Sequence, residues 1–277
     1  MKIKHVSLLI LSICFGTEIF AQFFYRDLIS VTQANEEMAA YKKAGIKNIK
    51  IKSLEANGEE SEDFFCEKKI SKDFRKTSLY TRTGNQGKSL MESFFNKDGL
   101  LIKTYDSSEI VVSRNEFFYD NNNRLSSTLS YSKSNDDDFV NEITEAHVYH
   151  FNEDGIPVSM LKIKNQTDTI VVLFYPDENN NVAIEKETKN GSKYYYYYDE
   201  NKRLTDVVHT NEFKQKLVAD YVFEYNEEGK IAEMTTTEDG NNNFSVWKYD
   251  YENHLKVKER IFDRNGMLMG KIIYEYK

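Results

Sequence analysis

Apolar and aromatic residues along most of this chain alternate with polar ones in short runs broken by polar corners, the period-two pattern of strands that bury one face. Near the start the period changes. Val31, Ala34, Met38 and Tyr41 recur three and four positions apart, which predicts one helix with a single apolar face. Ser30 and Gln33 have capping-box spacing, Lys42 and Lys43 suit a last turn, and Gly45 can end the helix in a left-handed conformation. Alternation then begins in Ile46-Lys47-Asn48-Ile49-Lys50-Ile51, the predicted first strand. From Leu54 to Gly87 the pattern is less regular, with turns marked by Asn57-Gly58 and Gly84-Asn85.

From about residue 91 the chain repeats itself. An aromatic anchor is followed by Asp or Asn, a few polar residues, Gly or Asn, and soon an aliphatic residue. The anchors are Phe95, Tyr119, Phe151, Tyr175, Tyr198, Tyr225, Tyr249 and Phe262, with Tyr276 as a last one at the terminus. The Asp or Asn can bond forward to the backbone and start a type I turn. The Gly or Asn then takes the left-handed conformation that closes a hairpin. Lys202 stands at that position in one repeat, and Asn201 is the residue expected to replace it. Most anchors fall 23 to 27 residues apart, which is two strands with two connections; the last spacings, 13 and 14, are one strand and one connection. The pattern predicts an antiparallel meander, with motif turns on both edges near its end. The 32-residue gap after Tyr119 holds a polar loop around Asp136-Asp137-Asp138.

Tyr-Asp-Asn-Asn-Asn-Arg-Leu at 119–125 and Tyr-Asp-Glu-Asn-Lys-Arg-Leu at 198–204 resemble the YD repeat of Rhs-type shell proteins. The resemblance covers residues 91–277, with Asn often in place of the turn glycine, and no toxin-like domain follows the array. It implies a curled, all-antiparallel β shell. The fold class expected is mainly β: a long meander of hairpin repeats curling into a shell or open barrel-like sheet, with one N-terminal helix. Three segments follow: a signal peptide at 1–21, the helix and first strands at 22–90, and the repeat array at 91–277.

Two columns show which face is which. Two residues before the anchors stand Ser93, Phe117, Tyr149, Leu173, Tyr196, Phe223, Trp247, Arg260 and Tyr274, mostly large and apolar, so this column shares the anchors' buried face. One residue before the anchors stand Phe94, Phe118, His150, Phe174, Tyr197, Glu224, Lys248, Ile261 and Glu275. The early members are aromatic and the late ones charged. The outer face of the early hairpins is therefore either covered by the helix and the irregular segment or is a contact surface formed by Phe94, Phe118, Phe174, Tyr195 and Tyr197. Covering by the helix is the reading preferred here.

Lys2 and Lys4, the apolar run Val6 to Phe15, and Ala21 before Gln22 read as a cleavable secretory signal. Loss of two Lys and one Glu with it moves the net charge from −8 to −9. That balance argues against a nucleic-acid partner. With Cys14 removed, Cys66 has no disulfide partner. No later stretch is long and apolar enough for a spanning helix. Chemistry is sparse. His147 and His150 differ by three and so face opposite ways on a strand, Cys66 beside Phe65 reads as a buried hydrophobe, and Ser130 and Lys133 match a Ser-x-x-Lys spacing off any helix. The acidic turn Asp177, Asn179 and Asn181 lacks a twelve-residue calcium loop. No cofactor and no catalytic set are expected. The sequence reads as an exported, periplasmic, surface or released scaffold whose partner is a protein or glycan of the cell envelope. Outward aromatics make a glycan- or lipid-binding module the alternative, and an outer-membrane barrel is a further one.

Overall fold

Most polar corners of the repeat array share one hydrogen-bonded device. At Asp120 the backbone N–H donates to the Arg124 carbonyl, while the side-chain Oδ1 accepts from the N–H groups of Asn122 and Arg124. Asn96, Asp177, Asp199 and Asp263 repeat it. The fourth residue of each turn is left-handed. Gly99 (φ 83°) and Gly229 (φ 76°) adopt this conformation at no cost, and Asn123 (φ 60°) tolerates it. In the 199–203 turn the left-handed residue is Lys202 itself (φ 60°), not Asn201 as expected, because the Asp199 carboxylate fixes the loop length and leaves Lys202 at the closing position.

The computed structural model describes residues 24–84, 87–135, 142–211, 216–238 and 243–277. The expected signal segment 1–21, with Cys14, and Asp136 to Asp138 lie outside them. The strands are β1 (Asn48–Glu55), β2 (Phe65–Ile70), β3 (Lys76–Thr83), β4 (Gly87–Phe95), β5 (Leu101–Ser108) and β6 (Val111–Tyr119). Then come β7 (Leu125–Ser134), β8 (Ile143–Phe151), β9 (Pro157–Lys164), β10 (Asp168–Pro176), β11 (Val182–Glu187) and β12 (Lys193–Tyr198). The last are β13 (Leu204–Asn211), β14 (Lys216–Tyr225), β15 (Ile231–Glu238), β16 (Asn243–Glu252), β17 (Leu255–Phe262) and β18 (Leu268–Tyr276). Every strand pairs antiparallel with its sequence neighbours, and β1 pairs with β18 from Ile49↔Tyr276 to Glu55↔Gly270. The sheet is thus a closed 18-stranded up-and-down barrel, not an open sheet or shell. Closure gives both terminal strands a partner and removes the exposed edges of so long a meander.

The helix α1 (Ser30–Ala44) ends at Gly45 (φ 71°), as its sequence predicts. Its start differs. A π-helical turn, Tyr25–Ile29, runs straight into it, so Ser30 caps nothing and its hydroxyl donates back to the Tyr25 carbonyl. Val31, Met38 and Tyr41 are its buried face. The segment meets Lys68 of β2, Leu101 of β5, His147 of β8, Phe174 of β10, Glu185 of β11, Tyr221 of β14 and Tyr276 of β18. Those strands span the circumference, and only a body inside the ring can touch them all. The helix therefore fills the lumen instead of covering the outer face of the early hairpins. Its apolar stripe finds larger partners among the inward rings than that face offers.

The anchors face inward with two corrections. Counting from its turn, the residue before Asp177 is Pro176, so Tyr175 lies one place out of phase and is 44% exposed, while Phe174 and Val172 point in. A one-residue offset exchanges the faces of a strand. Phe262 sits under Lys248 on the outer wall while its neighbour Ile261 is buried against Trp247. Tyr249 is inward, but the β16–β17 turn is the tight pair Asn253-His254, both left-handed, so Tyr251 takes the position next to the corner.

Candidate functional site: a plugged lumen and an apolar outer arc

The anchor tyrosines do more than pack. Tyr119, Tyr198, Tyr225, Tyr251 and Tyr276 donate their hydroxyls to the carbonyls of Leu101, Val182, Leu204, Ile231 and Lys256, at 2.6 to 2.9 Å. Each acceptor opens, or lies next to the opening of, the return strand of the hairpin before. Burial pushes the hydroxyls of Tyr119, Tyr225 and Tyr251 up to about 12. Arg124 and Arg203 bind the turn carboxylates of Asp120 and Asp199 and lie over the next anchors, Phe151 and Tyr225. The Tyr-Asp…Arg-Leu spelling therefore encodes turn, ion pair, stacking and clamp together.

Below these rings the helix segment is fastened by polar contacts. The Asp27 carboxylate pairs with His147 Nδ1 and accepts the Tyr149 hydroxyl at 2.8 Å. His147 Nε2 meets Glu145 at 3.0 Å, and Lys162 lies 3.4 Å from Glu145. Burial alone would lower the His147 pKa, but the Asp27 and Glu145 carboxylates outweigh it and raise it to about 9. For Glu145 burial pulls upward, and the bonds to His147 and Lys162 hold it below the usual range. The Phe24 N–H and the Tyr196 hydroxyl both donate to Glu185. At the far end Glu37 accepts from Tyr41 at 2.5 Å and Lys68 at 3.2 Å. None of these carboxylates belongs to the repeat motif. Only Asp27, an acid ahead of the helix's apolar face, offered any signal in the sequence.

The outer wall divides into two arcs. From β14 through β18 and on to β6 it carries cross-strand ion pairs: Lys248–Glu233 at 2.7 Å, and Arg260–Asp250, Lys52–Glu275 and Lys76–Glu92 at 2.6 Å each. From β7 to β13 the outward positions are mainly apolar. In register they run Leu129↔Ala146↔Ile163, Val148↔Leu161↔Val171 and Tyr175↔Ile184↔Tyr195↔Val208. Lys133, Lys186 and Lys193 are cations among them.

The predicted contact residues do not form one site. Tyr195 and Tyr197 (48% exposed) belong to the apolar arc. Phe118, 46% exposed, stands apart on β6, and Phe94 on β4 lies beneath Lys76 and Lys103. Phe174 is buried against Phe24 and Tyr149. Leu129, Val148, Leu161 and Val171 lie farther from the turns than the columns beside the anchors, so the repeat motif gives no signal for them. His147 points in and His150 out, as their spacing predicts; Cys66 is buried, and burial pushes its thiol up. Among the described residues no helix is long and apolar enough to cross a membrane.

No family model matches the chain, and no curated protein does. Solved structures similar to it include a porin-like protein from Bacteroides uniformis, at 8% identity and TM-score 0.37 over 84% of this chain and 98% of that one. The TcdB2-TccC3-Cdc42 complex is similar over 82% of this chain and 19% of that one, at 8% identity and TM-score 0.23. The Photorhabdus luminescens Tc holotoxin pore is similar over 85% and 17%, at 10% identity and TM-score 0.24. The chain thus spans under a fifth of each of those last two chains.

Proposed function

We propose that this chain is an exported, non-catalytic β-repeat scaffold that acts by offering the outer arc of β7–β13 to another macromolecule of the cell envelope. The observation that carries the reading is the contrast between the two arcs. One arc is covered by cross-strand ion pairs, and the other leaves apolar outward positions paired across β7–β10 and across β10–β13, with Lys186 and Lys193 between them. Patches of that extent on soluble proteins mark interaction sites. The hairpin modules are read as kin of YD repeats, supported by the Asp-centred turns and the arginine stacking at 120–124 and 199–203.

The test is retention of the protein in an envelope fraction washed with high salt. The wild type should stay, Leu161→Glu with Val171→Glu should wash off while keeping its strand spectrum, and Lys50→Glu on the other arc should stay. A wild type that leaves freely in the wash defeats the reading. Barrel closure favours a second reading, a membrane-spanning barrel. Against it stand the outer ion pairs, since a charge at the bilayer midplane costs about 2–4 kcal/mol, and the six-residue strands β2, β11 and β12. Resistance of the wild type to alkaline carbonate extraction would favour it. Glycan contact through Tyr195 and Tyr197 would show as a fluorescence change on titration with envelope glycans.

A further inference from the structure

We propose that residues 24–44 are a releasable plug, locked in the barrel by the contact of Asp27 with His147 and Tyr149 of the wall, and that release uncovers an aromatic lumenal face. Three observations carry this. First, the segment takes no part in the sheet, whose β1–β18 closure is complete without it. Only Gly45-Ile46-Lys47 joins it to β1.

Second, the fastening joins partial apolar burial to a few polar contacts. α1 buries Val31, Met38 and Tyr41 in full, Phe24, Tyr25, Leu28, Ile29 and Ala34 pack on the core in part, and polar contacts at Asp27, Asn35 and Glu37 tie the segment to the wall. At the lock the plug supplies the Asp27 carboxylate. The groups facing His147 from the wall are Glu145 and Tyr149 of its own strand and Lys162 of β9, with Thr128 opposite it on β7. Withdrawal of Asp27 leaves the imidazolium beside Glu145, and Glu145 beside Lys162. The wall thus keeps one carboxylate, Glu145, between the imidazolium and the Lys162 ammonium in the released state, a partial compensation that lowers the penalty that normally opposes breaking a buried pair.

Third, the surface under the plug is built of rings. Phe24 meets Phe174 and Tyr196 at 6.0 and 5.2 Å, and Tyr25 stacks on Tyr221 at 5.1 Å. Tyr221 and Phe223 are parallel at 6.0 Å, as are Tyr149 and Phe174 at 6.2 Å. Such a face suits an apolar or aromatic occupant, and the plug is the one already present.

The test is hydrogen exchange on the full chain, read as protection factors for helix and strand amides separately. At pH 7, Asp27→Asn should lower protection over 30–44 by on the order of tenfold or more and leave the strands unchanged. Wild-type helix protection should be greatest near about pH 6 and fall on both sides, declining as pH rises from about 6.5 through about 9 while His147 loses its proton, and in acid as Glu145 gains one. Should Asp27→Asn fail to fold, His147→Gln serves, with the alkaline fall abolished. Helix and strand amides opening together, or a wild-type helix whose protection ignores pH, would overturn the proposal.

Discussion

The hydroxyl of Tyr225 donates a 2.7 Å hydrogen bond to the carbonyl oxygen of Leu204, tying the end of one hairpin to the opening of the strand before it. Four other tyrosines make the same bond, so the barrel is laced along one rim by side chain to backbone contacts that the strand ladders do not supply. Phe151 holds an equivalent anchor position without a hydroxyl, and Arg124 lies over its ring.

Removing one clamp should therefore cost little. Tyr225→Phe keeps the ring, and a net hydrogen bond is worth about 0.5–1.5 kcal/mol. Urea unfolding should show a loss in that range with an unchanged slope. Tyr225→Ala, which also empties the core position, should cost about 3–5 kcal/mol. A Phe variant as damaged as the Ala one would mean that the clamp, not the ring, carries the module.

How much was legible follows from these same residues. Strand content, the helix at 30–44 and the turns could be read because their signals are local: alternation, three-four spacing, and Asp or Asn ahead of a left-handed residue. Closure could not be read, because Ile49↔Tyr276 is a pairing between the two ends of the meander and no neighbouring residue reports it. The helix position was hidden for a related reason. An apolar face announces that it will be buried but not against which side of a sheet, and Asp27 with His147 shows the choice only in three dimensions. Tyr175 was misplaced by a single inserted proline, which shifts the frame of the whole strand.

Gly99 isolates the conformational demand of the turn. A Cβ there would meet nothing within 4 Å, so any penalty comes from the positive φ of 83°. Left-handed backbone costs most residues about 1–2 kcal/mol. Gly99→Ala should lose that much in chemical unfolding, Gly99→Asn less, and Gly99→Val more. Equal losses for Asn and Val would mean that the position is limited by space.

His209 and Asp220 set a pH dependence away from the plug. Nδ1 lies 2.8 Å from the Asp220 carboxylate, and that hydrogen bond raises the imidazole's pKa against the opposing pull of burial. A raised folded value stabilises fully below the unfolded pKa of about 6.5 and is lost as pH climbs through the folded one. The gap in melting temperature between wild type and Asp220→Asn should be largest near pH 6 and shrink towards pH 9. A gap that stays constant over that range would show that the pair acts without its charge.

Glu259 offers the sharpest test of the interior. It is 0% exposed; its Oε1 accepts from Tyr274 at 2.7 Å and meets Lys256 at 2.5 Å, and among the described residues its Oε2 has no hydrogen-bond partner. Lys256 in turn lies over the rings of Tyr249 and Tyr274. Lys256→Met leaves the carboxylate buried without its cation, a loss of about 3–5 kcal/mol for a broken buried pair. Glu259→Gln keeps an acceptor for Tyr274 and removes the charge. The double variant should then recover much of what Lys256→Met loses, because no uncompensated ion remains. Unfolding free energies of the four proteins close a cycle whose coupling should exceed about 1 kcal/mol. Simple additivity would show that Lys256 does not neutralise Glu259 in solution, and that the Tyr274 hydroxyl, not the ammonium, holds the buried acid in place.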